Sequence, residues 1–140
     1  MPLTCTPASL TAPPAPDALT LQRVDAYSGA EALAELAEAT GAARVDLGDG
    51  DLGVLVRMGT TPTGGGWFTS AEGDAGGVAR IVAVGITPGH EELGLEALVA
   101  AELARLAFRT GVAVVELDVG DGDGPGAADR YAPAGFTPTS

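Results

Sequence analysis

Residues 78–119 constrain the fold more than any other stretch of the chain, because they read as strand, helix and strand in direct succession. The segment VARIVAVGI, Val78 to Ile86, is almost continuously apolar and rich in β-branched residues. Such a run predicts a strand in the middle of a sheet with both faces covered. Pro88 ends it, and from Glu91 the apolar period becomes helical. Leu95, Leu98, Val99, Leu103 and Leu106 fall on one stripe, with Glu92, Glu96, Glu102, Arg105 and Arg109 largely outside it. Gly111 closes that helix, and VAVVELDV, Val112 to Val119, follows as a second strand. Two strands joined by a helix predict a crossover on one sheet, hence an α/β or α+β fold.

The first half adds shorter elements. Leu19, Leu21 and Val24 alternate with polar neighbours as in a half-buried strand. Ser28 and Glu31 have the spacing of a capping box ahead of a helix over Ala32–Ala39, which Gly41 stops. Arg44 to Gly53 is turn chemistry, and Val54 to Met58 is a short strand. Pro62 and the run Gly64-Gly65-Gly66 are expected to break that strand before Trp67, Phe68 and Thr69 resume β-favouring sequence. The five prolines among the first seventeen residues predict a disordered arm over 1–17, followed by one domain over 18–140.

Charge and cysteine usage narrow the partners. Seven Arg and no Lys stand against nineteen acids, a net charge of −12. Scattered arginines in such excess acid do not neutralise a run of phosphates, so nucleic acid and anionic membrane surfaces are excluded, and cationic or neutral small ligands are favoured. The single Cys5 makes no internal disulfide, no apolar run reaches the length of a membrane span, and no secretory signal is evident. The expected compartment is the cytoplasm.

Three short motifs then fall in order. Ile86-Thr87-Pro88 ends the central strand, Gly94 lies at the start of the following helix, and Tyr131 is followed at fixed spacing by Gly135-Phe136. Over Val78 to Phe136 this arrangement resembles the GNAT superfamily of acyl-CoA-dependent N-acyltransferases. The resemblance implies a mixed central sheet flanked by helices, acetyl-CoA as the acyl donor and a small amine as acceptor; no metal is expected from the residues themselves. It further implies that the backbone of Val84 to Ile86 bonds the pantetheine and that Leu93, Gly94 and Leu95 meet the pyrophosphate. Tyr131 would then protonate the departing thiolate; its alternative role is packing.

The chain departs from the family pattern at two places. Backbone N–H groups at a helix N-terminus hold a pyrophosphate best where side chains are small and not negative. Here Glu91, Glu92 and Glu96 surround Gly94, so the motif is degenerate. These acids either weaken coenzyme binding or cap the helix themselves in a non-catalytic binding or assembly domain of the same fold. Family members also carry a further strand after the Phe, whereas four residues follow Phe136 here. That last strand is missing, and either a second chain, as in a homodimer, or the early segment would have to cover the edge.

Other constellations carry less. Asp118, Asp121 and Asp123 lack the remaining ligands of a calcium loop, so a solvated turn or a patch attracting an amine, with Glu116, is expected. His90 has no partner residues arranged for a triad, and the glycine run lacks the Lys-Ser or Lys-Thr of a phosphate loop. Trp67-Phe68 is a core pair or the lining of a substrate pocket.

Overall fold

A computed structural model describes residues 2–11, 19–28, 30–41, 47, 51–70, 77–87, 95–118 and 130–138. The elements in chain order are β1 (Pro2–Cys5), β2 (Leu19–Val24), α1 (Ala30–Thr40), β3 (Leu52–Met58), β4 (Thr61–Ser70) and β5 (Val78–Ile86). They continue with α2 (Leu95–Arg109), β6 (Val114–Asp118), a 3₁₀ turn (Ala132–Ala134) and β7 (Thr137–Pro138). One mixed sheet has the order β2-β3-β4-β5-β6-β1-β7. All neighbours are antiparallel except β5 and β6, which run parallel on either side of the α2 crossover.

The apolar stripe of α2 explains its place. Leu95, Leu98, Val99, Leu103 and Leu106 are all buried, and Ala97, Ala100, Ala101, Ala104 and Ala107 let the helix approach the sheet closely. It covers one face, packing with Val54, Val56, Phe68, Ala79, Ile81, Val115 and Leu117. On the other face α1 packs Leu36, Ala37 and Ala39 against Val24, Leu55 and Trp67. Burying each large apolar side chain contributes roughly 1.5–3 kcal/mol, which makes these two clusters the main source of stability. Gly41 and Gly111 end the helices with φ of +74° and +102°, a conformation that favours glycine.

The glycine run does not break a strand. Gly64, Gly65 and Gly66 lie buried inside β4, paired with β3 and β5. A Cβ at Gly65 would stand 2.6 Å from Leu36 Cδ1 of α1, and one at Gly66 would stand 3.1 Å from Leu103 Cδ1 of α2. Backbone of the flanking strands is as close, the Val54 carbonyl oxygen 2.7 Å from the first and the Ala83 carbonyl oxygen 2.5 Å from the second, so helices and strands together leave room only for residues without side chains. The aromatic pair beside the run is divided in the same way, with Trp67 under α1 and Phe68 under α2.

The expected disordered arm over 1–17 is also corrected at its start. Pro2–Cys5 is a strand inserted between β6 and β7, with Leu3 and Cys5 fully buried. Alternating apolar residues of a four-residue strand suffice for this because the partner strands already exist on both sides. The missing strand is thereby accounted for: β7 follows Phe136 directly, and the early segment fills the slot next to it.

Two local expectations change. Ser28 does not cap α1 through Glu31; its hydroxyl accepts the Asp25 N–H at 3.0 Å, while Asp25 Oδ1 accepts the Tyr27 N–H at 2.9 Å, closing a turn before the helix. The first half of β5 is not covered on both faces, since Val78 and Val82 are exposed and Arg80 projects to pair with Glu116 at 3.3 Å. Most of Arg44 to Gly53 and all of residues 88–94, 119–129 and 139–140 lie outside the described residues.

Candidate functional site

Among the described residues, β5 and β6 are paired from Val78↔Val114 to Ile81↔Leu117; β5 runs on to Ile86, whereas β6 is described only to Asp118. On its other side β5 is irregular. Its ladder with β4 passes from Phe68↔Ile81 to Trp67↔Ala83, leaving Val82 as an extra residue. A bulge of this kind bends its strand and increases the local twist.

Beyond the bulge the direction of each backbone group is fixed by alternation. The Thr87 N–H donates to the Thr63 carbonyl of β4 at 2.9 Å. In an antiparallel ladder successive residues turn their N–H and C=O to opposite sides, so Gly85 also faces β4. Val84 and Ile86 consequently turn theirs toward the β6 side, where no described strand pairs with them. Their side chains are half-buried, and Val84 packs against the α2-side cluster.

The helix that follows starts at Leu95, whose side chain is buried rather than presented at the surface. In the first turn of a helix the dipole favours negative charge. Glu96 stands in that same turn, half-buried. Leu93, Gly94, Glu91, Glu92 and His90 lie outside the described residues.

Tyr131 precedes the 3₁₀ turn, and its carbonyl accepts the N–H groups of Ala134 at 3.0 Å and Phe136 at 3.4 Å. Its ring meets Phe136 edge to face, with centroids 6.4 Å apart and planes at 69°. Only 8% of Tyr131 is exposed, and it belongs to the same apolar cluster that Val84 packs against. Packing is therefore one role it performs. Gly135 has φ +94°, and a Cβ there would stand 1.9 Å from the Ser9 carbonyl oxygen.

The other candidates separate from this group. Trp67 and Phe68 are core residues on opposite faces, and Glu116 is engaged by Arg80. A groove of about 400 Å³ between α1 and the β2–β3 edge is lined by Gln22, Glu31, Ala32, Glu35 and Arg57. There the Arg57 guanidinium donates to Glu35 and, at 3.2 Å, to Gln22 Oε1. Among the described residues no group of three or more His, Cys, Asp or Glu is placed to hold a metal, and no helix is long and apolar enough to cross a membrane. Sequence reasoning missed Val82, because a run apolar on both faces carries no period-2 signal in which an inserted residue would show.

No protein-family model and no curated protein matches the sequence, whereas solved structures match its fold. A GCN5-related N-acetyltransferase from Kribbella flavida is similar at 28% identity and a TM-score of 0.76, over 98% of this chain and 53% of that one. A tandem GNAT protein from the clavulanic acid biosynthesis pathway is similar at 13% identity and a TM-score of 0.72, over 98% and 49%. The structure of AAC(6')-Iy in complex with the bisubstrate analogue CoA-S-monomethyl-acetylneamine is similar at 12% identity and 0.55, over 73% and 80%. The chain spans about half the length of the first two.

Proposed function

Since this chain is a GNAT-superfamily protein by its fold, we propose that it is an N-acetyltransferase moving the acetyl group of acetyl-CoA to a small amine. The observation that carries this reading is the bulge at Val82, just past the last described β5–β6 pair Ile81↔Leu117, with the backbone of Val84 and Ile86 turned to the β6 side. Unpaired strand groups bind an extended amide chain as a further strand would, and the pantetheine arm of the coenzyme is such a chain. Support from outside the chain comes from AAC(6')-Iy, whose bound analogue joins coenzyme A to an acetylated amine.

The residues present fit the pantetheine arm at Val84 and Ile86. The first turn of α2 would meet the pyrophosphate at Leu93, Gly94 and Leu95, sharing that turn with the Glu96 carboxylate. When bound, the coenzyme supplies an acetyl group activated as a thioester. The chain's own contribution is orientation by the strand edge, exclusion of water by the apolar cluster around Val84 and Tyr131, and a proton held at Tyr131 Oη for the departing sulfur. The excess of acid, −12 overall, favours a cationic acceptor over an anionic one.

A second reading is favoured by one observation. Glu96 sits in the first turn of α2, where it satisfies the helix dipole itself. In that reading the chain is a binding or assembly domain that holds no coenzyme.

Calorimetric titration with acetyl-CoA decides between them. Micromolar binding, with acetylation of a polyamine or aminosugar detected by mass, supports the transferase. Tyr131→Phe should then lower kcat about 10²-fold with little change in KM. No heat at millimolar acetyl-CoA overturns the transferase and leaves the second reading.

A further inference from the structure

The segment from Leu3 to Thr11 reaches the Tyr131 turn from the opposite end of the sequence. Cys5 and Ala134, 129 positions apart, meet with Sγ 3.9 Å from the Ala134 carbonyl oxygen. The same oxygen accepts the Thr11 N–H at 3.0 Å. Between these two contacts the Ser9 carbonyl rests on Gly135 with no space for a Cβ. Past the turn, Leu3 pairs with Pro138 and Thr4 with Thr137. Leu3 and Cys5 are buried in one cluster with Tyr131, Ala134 and Phe136.

The segment has its own internal order. The Ser9 and Leu10 N–H groups donate to the Thr6 carbonyl at 3.0 and 2.9 Å, and the Thr6 N–H donates to Ser9 Oγ at 2.9 Å. The Tyr131 turn, by contrast, is shaped by bonds among its own residues, from Ala134, Gly135 and Phe136 back to Tyr131 and Ala132. Those bonds define the turn's conformation. Its place against the sheet is set from outside, by packing in the α2-side cluster and by residues 3–11.

We infer that residues 3–11 form a strap that sets the position of the Tyr131 turn, with Thr11 and Cys5 acting as positioning residues for the phenol. This inference rests on the acid role given to Tyr131 above. Proton transfer depends on placement, and a misplacement of the order of 1 Å costs up to about 10²-fold in rate. The strap acts at the Ala134 carbonyl and at Gly135, within four residues of the ring.

The test uses the full chain. Thr11→Pro deletes the donor to Ala134, whereas Thr11→Ala keeps it and serves as the conservative control. The expected result is a kcat about tenfold lower for Thr11→Pro with an unchanged KM for acetyl-CoA, and a parental kcat for Thr11→Ala. Two further readouts do not need activity. With Tyr27→Phe in the background Tyr131 is the only tyrosine, so its ring resonances should move in Thr11→Pro and not in Thr11→Ala. The Cys5 thiol, fully buried in the parent, should react with an aromatic disulfide about fivefold faster once one bond of the strap is lost.

Should Thr11→Pro not fold, Cys5→Ala carries the ring and rate measurements, with Cys5→Ser as the variant that keeps a donor. Folded variants with unmoved ring resonances and a parental kcat overturn the strap. If the parent acetylates no amine, the transferase reading fails, and the resonances and thiol rates still decide the strap.

Discussion

Gly85→Ala is the most demanding test of how α1 sits on the sheet. A Cβ at Gly85 would stand 2.5 Å from Thr40 Cα, 2.7 Å from its carbonyl oxygen and 2.8 Å from its carbonyl carbon. All three are backbone atoms, so no rotamer change relieves the overlap. Restoring an ordinary contact of 3.4 Å requires the end of α1 to withdraw by roughly 0.9 Å. A gap of that size forfeits about a quarter to a half of the dispersion energy along the separated surface, here Leu36, Ala37 and Ala39 against Val24, Leu55 and Trp67. Overpacking of this kind costs about 3 kcal/mol, the upper part of the usual range, equivalent to a Tm lower by about 10 °C in a chain of this length. Urea unfolding followed by Trp67 fluorescence measures it directly, because Trp67 is the only tryptophan and lies under α1. Gly59→Ala provides the contrast: its Cβ meets nothing within 4 Å, but its φ of +64° should cost about 1 kcal/mol. A loss below about 0.5 kcal/mol for Gly85→Ala would refute the close approach of α1 to β5.

Glu91→Arg combined with Glu96→Gly should tighten acetyl-CoA at least about tenfold by calorimetry, since each carboxylate near a phosphate costs roughly 1 kcal/mol even in water; unchanged affinity would remove these acids from the argument. Burial raises the Cys5 thiol above its ordinary value of 9.0, with the Ser9 hydroxyl pulling the other way. The unfolded chain therefore releases this proton while the folded chain retains it, so stability should fall as pH rises past 9, and Cys5→Ala should flatten that slope in urea midpoints measured from pH 8 to 10. Glu35→Gln breaks the pair with Arg57, whose side chains are each 25% exposed. Its cost should stay under about 1 kcal/mol and shrink further in 1 M salt.

The strand-helix-strand core was legible because its signals are local and strong. Val78–Ile86 agrees in both bounds, and the α2 stripe from Leu95 to Leu106 is buried as its period requires. Gly64-Gly65-Gly66 misleads for a physical reason: intrinsic preference counts a glycine run against a strand, while the close approach of the flanking strands and of the helices, invisible in the local sequence, requires it. β1 was illegible because four residues among prolines carry no periodicity, and its partners at 114–118 and 137–138 are far along the chain. The end of β5 at Ile86 follows from the apolar run and the Pro88 after it, but the bulge at Val82 does not, since bulges leave no mark in an apolar run. Ser28 satisfies the capping-box spacing yet bonds Asp25, which competes for the same hydroxyl at shorter range.

The place of β1 in the sheet has a consequence for how the protein comes into being. Pro2–Cys5 is synthesised more than a hundred residues before its partner Val114–Asp118. At translation speeds of about 5–20 residues per second, Leu3 and Cys5 wait on the order of 5–20 seconds with no slot to enter. During that interval the growing chain has β2 to β5 available to pair, while β6 still shows β1's vacant side as it emerges. The pairing of Pro2–Cys5 with Val114–Asp118 is thus a contact of very high sequence separation, available late and found by a correspondingly slow search.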